Sequence, residues 1–455
     1  MLMSPFSGPA ARLVLLSFVG MAAFLQSQTA LAALPIQHWT QASGARVYLV
    51  ESPGIPMLDV QIDFDAGDRR DPADKAGLAS MVSNMSAKGV TARAGSPALD
   101  ENQLSEAWAD LGANFSVRSV NDRMSFSLRS LSYPDLLPKA VALAARQIGE
   151  PSFPEAIWLR ERERIGAAIR EANTRPATLA EKAFSAAVYG DHPYGFQTTE
   201  ISLGRTSVAD MRQFYTRFIQ PCRAKVSVVG DVTRAQADVM VTTLLARLPQ
   251  SAAAGCAALP PVAEVAALTA PVTASIAFES AQAHVLIGQP GYKRSDPDFF
   301  ALMLGNYTLG GGGFVSRLTA EVREKRGLTY SVYSYFAPGL HAGAFTLGLQ
   351  TRPDQAAQAV QVARDVLAKF VTEGPSEAEL KAAKDNLIGG FPLLIDSNAK
   401  LISNVANIAW NNLPLNYLDT WTAQVEKITA ADIKAAFTRK LQPDRMVTVV
   451  LGAGV

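Results

Sequence analysis

Cysteine, histidine and net charge are all scarce in this sequence. Two cysteines, Cys222 and Cys256, are spread over 455 residues. That is too few for a disulfide framework, although an oxidising compartment permits a single bridge. Sequence does not bring the pair within bonding distance, and the expectation leans toward two unpaired thiols. The four histidines, His38, His192, His284 and His341, are scattered, with no pair at the spacing of helix-borne metal ligands. His192, in "GDHPYG" (190–195), reads as a residue that caps or packs a turn rather than as a catalyst. A net charge of +1, without any basic block, removes the electrostatic case for nucleic acid or an anionic membrane as partner. Beyond the N-terminus no apolar run approaches the ~20 residues of a membrane span.

The N-terminus itself is rich in signal. Arg12 precedes the apolar run "LVLLSFVGMAAFL" (13–25), and Ala30-Leu31-Ala32 ends in a small-residue cleavage pattern. The spacing predicts a signal peptide over 1–32, cleavage near Ala32-Ala33 and export, for a bacterial-looking leader, to the periplasm. A permanent N-terminal anchor is the competing reading.

The mature chain is written twice. "VADMRQFYTRFIQPCRAKVSVVG" (208–230) and "AADIKAAFTRKLQPDRMVTVVLG" (430–452) align without a gap at an offset of 222, with nine identities, among them Asp210/Asp432, Pro221/Pro443 and Gly230/Gly452. Each copy reads as a short helix with an acid in its first turn, stopped before a proline, then an apolar strand. Upstream, "ANFSVRSVNDRMSFSLRS" (113–130) and "LTYSVYSYFAPGLHAGAFTLGLQT" (328–351) alternate as strand pairs, each followed by a helix. Phe115-Ser116-Val117 and Tyr330-Ser331-Val332 hold equivalent places. The fold class is α+β: two homologous domains, 33–247 and 272–455, each a mainly antiparallel sheet covered by helices. The Ala/Pro-rich segment 248–271 links them, and its composition allows a hinge.

One motif carries a family resemblance. In "LGGGGFVSRLTAEVREKRGLTYSVYS" (309–334) a glycine-rich turn leads into a helix, then Arg-Glu-Lys-Arg-Gly-Leu-Thr-Tyr enters a strand. This resembles the second domain of the pitrilysin and mitochondrial-processing-peptidase family of zinc peptidases. "GLASMVSNMSAKG" (77–89), "GDHPYG" and "PCRAKVSVVGDV" (221–232) are similar to first-domain segments of that family. The resemblance implies half of a clam-shell-like peptidase. It also implies that residues 77–89 hold the place of an inverted His-x-x-Glu-His zinc motif.

Here that motif is degenerate. Ser80, Ser83 and Asn84 stand where two histidine ligands and the glutamate base belong. Hydroxyls and an amide are poor zinc ligands and no base near neutral pH. Glu163 or Glu171 lies roughly where a downstream glutamate ligand is expected, but a carboxylate without the histidines reads as a helix-surface charge. No Gly-x-Ser-x-Gly elbow supports a serine nucleophile, and Gly310–Gly313 lacks the Gly-Lys-Ser/Thr ending of a phosphate loop.

The second half keeps the family's other pair. Arg323 and Tyr330, seven residues apart, match an arginine that holds a substrate carbonyl and a tyrosine that stabilises the oxyanion. Without the resemblance they read as a solvated helix charge among Glu321, Glu324 and Lys325 and an ordinary strand aromatic. With it, the expectation is a chain that binds no zinc and is inactive alone. A homologous His-x-x-Glu-His subunit would hold the zinc, and Arg323 and Tyr330 would act on a peptide in trans. The competing expectation is a non-enzymatic scaffold or peptide-binding pseudopeptidase.

Overall fold

The computed structural model describes residues 35–93, 95–249 and 256–452. The expected signal peptide lies outside them, as does part of the Ala/Pro-rich segment. Among the described residues no helix is long and apolar enough to cross a membrane.

Among the described residues, thirteen strands form two large sheets and one short ribbon. The first sheet holds β1 (Gln37–Thr40), β2 (Arg46–Glu51), β3 (Met57–Phe64), β6 (Asn114–Ser119), β7 (Met124–Leu131) and β8 (Lys225–Gly230). Its order is β1-β2-β8-β3-β7-β6, with β2 and β8 parallel and the other neighbours antiparallel. The ribbon pairs β4 (Gly89–Val90) with β5 (Leu99–Asp100). The second sheet holds β9 (Val272–Ile276), β10 (Ala283–Tyr292), β11 (Ser331–Phe336), β12 (Gly343–Thr351) and β13 (Val447–Leu451). Its order, β9-β13-β10-β12-β11, repeats β2-β8-β3-β7-β6 strand for strand, including one parallel pair, β9 with β13. The two domains of the α+β fold therefore share one topology.

Local chemistry explains why the repeat shows in the sequence. Helices Val208–Phe218 and Ala430–Lys440 both start with a reciprocal capping box. Ser207 bonds the Asp210 amide while Asp210 bonds the Ser207 amide, and Thr429 with Asp432 does the same. Both helices then run into one proline turn, Pro221–Arg223 or Pro443–Arg445, ahead of a central strand. The strand β8 is buried along its whole length, because helices cover both faces of its sheet.

One of those covers comes from the other half of the chain. Helix Asn398–Asn411 packs on β3 and β8 of the first sheet, and helix Pro176–Tyr189 packs on β10 and β13 of the second. Ala180, Phe184 and Val188 form a core with Leu286, Val447, Val449 and Leu451. Reciprocally, the Lys225 ammonium donates to the carbonyls of Ala409 and Trp410 at 2.9 and 2.8 Å, capping the end of the first sheet's helix.

"GDHPYG" finds its place in this exchange. His192 Nδ1 accepts from the Tyr194 amide at 3.1 Å, closing the turn Pro193–Gly195. The Tyr194 hydroxyl donates to Asp122 at 2.6 Å and accepts from the His341 amide at 3.2 Å, tying the first domain to a loop of the second. One expectation changes. Cys222 and Cys256 form a disulfide, with Cα atoms 5.8 Å apart, because the proline turn and the start of the linking segment lie side by side. The segment 256–271 is also pinned by side chains. Arg70 bonds Pro260 O, Arg223 bonds Ala257 O, and Glu264 pairs with Lys293 at 2.6 Å and His341 at 3.2 Å.

Candidate active site

Residues 77–89 do form a helix, Leu78–Met85, lying over the edge strand β6 and against helix Val208–Phe218. Leu78, Ala79, Met81, Val82 and Met85 are buried and join the core of the first domain. The start of this helix is set by Asp71, whose carboxyl accepts from the amides of Gly77 and Ala79 at 2.7 and 2.9 Å. Burial pushes the Asp71 carboxyl up to about 8, against the pull of those amides toward the charged form.

The three positions of the degenerate motif do not converge on one point. Ser80 is exposed and donates to Asp68 at 3.2 Å; Ser119, on β6, donates to the same carboxylate oxygen at 2.7 Å. Ser83 is buried and turns inward to the backbone carbonyl of Ser80 at 2.9 Å. The Asn84 carbonyl oxygen is buried without a donor among the described residues. Glu163 and Glu171 sit out in solvent, paired with Arg170 at 3.3 Å and Arg175 at 3.2 Å. This donor set does not suit zinc, which takes imidazole, thiolate or carboxylate. No cluster of three His, Cys, Asp or Glu residues able to hold a metal occurs among the described residues. His38, in β1, leans on the Tyr48 ring of β2, and His284 lies in β10. Burial lowers the His38, His192 and His284 pKa values below the ordinary histidine range.

The second domain is built differently at the matching face. Helix Phe299–Asn306 continues into a wider π-helical turn, Tyr307–Gly311, and a second such turn spans Thr319–Glu324. Such insertions often mark working surfaces. Gly310 lies so close to β11 that an added Cβ would come within 2.5 Å of the Ser334 amide, which is why position 310 is glycine. Arg323 lies in the second π-helical turn. Glu321, two residues before it, is gripped by Lys325 and Arg326 at 2.6 and 2.7 Å, and no acid pairs with Arg323 among the described residues. The Arg323 guanidinium instead lies 4.8 Å from the centre of the Phe314 ring.

Tyr330 stands immediately before β11 rather than inside it and is 84% exposed. Thr329 holds the backbone there, its hydroxyl bonding Ser331 O at 2.7 Å and Gln350 O at 2.5 Å. Tyr333 and Tyr335 follow on β11, half-exposed and stacked with ring centres 6.0 Å apart. The arrangement offers a guanidinium without an ion pair among the described residues and a solvent-facing phenol beside an edge strand, the donors that a peptide carbonyl and a developing oxyanion require. Phe314 was not singled out from the sequence. Its only signal there is an apolar pair, Phe314-Val315, straight after four glycines.

Residues 46–200 match the family described as Insulinase (Peptidase family M16), and residues 205–387 match the Peptidase M16 inactive domain. An uncharacterized zinc protease of Mycobacterium leprae is 26% identical over 416 residues, 91% of each chain. A Helicobacter pylori protein named non-peptidase homolog YmxG is 25% identical over 409 residues, covering 88% of this chain and 90% of its own. Among solved structures, a peptidase M16 inactive domain from Pseudomonas fluorescens is 34% identical with a TM-score of 0.85, covering 92% of this chain and 98% of that one.

Proposed function

This chain belongs to peptidase family M16 and is of the inactive type, and on that premise we propose that it is the non-zinc-binding subunit of a heterodimeric zinc endopeptidase. Its partner is a homologous subunit with an intact His-x-x-Glu-His motif, which holds the metal. Together the two chains close a clam-shell around a peptide. Arg323 binds a backbone carbonyl of the substrate, and the Tyr330 hydroxyl donates to the oxyanion that forms as the peptide bond is attacked. The substrate lies as an added β-strand, so backbone hydrogen bonds supply affinity with limited sequence preference. The observation that carries the reading is the asymmetry of the two faces. The motif helix has neutral side chains, Ser80 and Ser83 bonded to local partners, whereas among the described residues the half-buried Arg323 and the exposed Tyr330 make no side-chain ion pair or hydrogen bond.

The protein works in the periplasm after removal of residues 1–32. A disulfide between Cys222 and Cys256 agrees with an oxidising compartment. A second reading, a scaffold or peptide-binding pseudopeptidase, is favoured by the likeness to a relative named as a non-peptidase homolog. The two separate in one experiment. Purified chain mixed with a zinc-bearing homologue captured from periplasmic extract gains zinc-dependent cleavage of a quenched fluorescent peptide. Tyr330→Phe then lowers kcat about 100- to 1000-fold, the usual loss for one oxyanion donor. Full activity in that variant overturns the catalytic assignment. A stable homodimer that never captures such a partner favours the scaffold.

A further inference from the structure

Phe314 and Val315 are each 70% exposed, adjacent, and displayed on a turn that is fixed on both sides. Before them, Gly310 is seated against the Ser334 backbone. After them, the Ser316 side chain is fully buried and donates to Gly313 O at 2.8 Å, and Arg317 forms a two-point pair with Glu379 at 2.6 and 2.7 Å. Single exposed apolar residues are common on protein surfaces. A pair on an anchored tip, with an acid-free guanidinium resting on one of the rings, is a built feature.

We infer that Phe314 is a positioning and specificity residue of the same face. Its ring holds the Arg323 guanidinium in place to receive a carbonyl. With Val315, it offers an apolar surface to the substrate side chain beside that carbonyl. The ligand class is therefore a peptide segment with a hydrophobic side chain at that position. The inference rests on the proposed role of Arg323 in binding substrate.

The test needs no partner subunit. Binding of two dye-labelled decapeptides to the mature chain is followed by fluorescence anisotropy, one alternating Leu and Ser, the other alternating Asp and Ser. The Leu peptide binds more tightly. Phe314→Ala weakens it about 3- to 10-fold, a loss on the scale of one exposed cation–π contact plus its apolar surface. Phe314→Tyr retains the affinity, and Phe314→Leu keeps the preference between peptides while losing part of the affinity. Thermal melts confirm that each variant is folded. If Arg323→Gln weakens binding and Phe314→Ala does not, the inference falls and the reading of Arg323 stands. If neither substitution matters, or the wild-type chain binds neither peptide, both fall.

Discussion

Beneath helix Asn398–Asn411 the first sheet carries Asp59, Gln61 and Asp63 on β3, paired in register with Val229, Ser227 and Lys225 on β8. Beneath helix Pro176–Tyr189 the second sheet carries His284, Leu286 and Gly288 on β10, paired with Leu451, Val449 and Val447 on β13. The strands correspond and so do the covering helices, yet one junction is held by charge and the other by apolar contact. In the second, Phe184 lies directly on Gly288, where a Cβ would come within 2.8 Å of the ring. In the first, the fully buried Asp63 is held by Ser125 at 2.5 Å and Arg123 at 3.1 Å, and Arg123 also reaches Ala406 O at 3.4 Å. Burial raises the Asp63 pKa, and Arg123 is the first influence opposing that. Apolar burial is non-directional and insensitive to pH, whereas a buried ionic junction fixes geometry and responds to protons. A duplicated topology thus leaves the chemistry of its junctions free to diverge.

Substitution at each junction separates the two. Phe184→Ala leaves a cavity on Gly288 and destabilises the chain by about 3–5 kcal/mol in urea unfolding, with no pH dependence of its own. A loss below about 1 kcal/mol would mean that this helix contributes little to the second domain. Lys225 behaves in the opposite manner. Burial lowers its pKa to about 8 from the ordinary 10.5. Between those values the unfolded chain binds more protons than the folded one, so this group makes stability rise with pH. The rise amounts to about 2–3 kcal/mol from pH 8 to 10.5. The wild type minus Lys225→Met stability difference should therefore grow across that window, and a flat difference refutes the assignment.

Smaller effects distinguish the two motif helices. Asp71→Ala removes the carboxyl that caps Leu78–Met85 and costs about 1–2 kcal/mol. Asp298, at the start of Phe299–Asn306, makes no side-chain cap and pairs with an exposed Arg439 at 2.7 Å. Asp298→Ala accordingly costs about 0.2–1 kcal/mol, the range of surface ion pairs. Equal losses in thermal melts would erase the contrast.

What could be read from the sequence was mostly local. Ser207/Asp210 and Thr429/Asp432 are three residues apart, so the capping boxes, proline turns and strands that define the repeat show as aligned identities. The exchange of helices is long-range. Nothing in "KVSVVG" reveals that Lys225 caps a helix 184 residues away, or that Cys222 meets Cys256. At the candidate site, Arg323 and Tyr330 stood out through their resemblance to a family motif. Phe314 escaped notice because its tie to Arg323 exists only once the π-helical turn brings the two together.

The crossed helices have a consequence for any attempt to divide the molecule. Two pieces expressed separately, parted within 248–271, would each expose a sheet face whose cover travels with the other piece. Neither would be expected to remain soluble alone, whereas co-expressed pieces would be expected to find each other and restore the whole. The arrangement is that of a split reporter, in which recovery of the native fold signals that both fragments are present in the same cell.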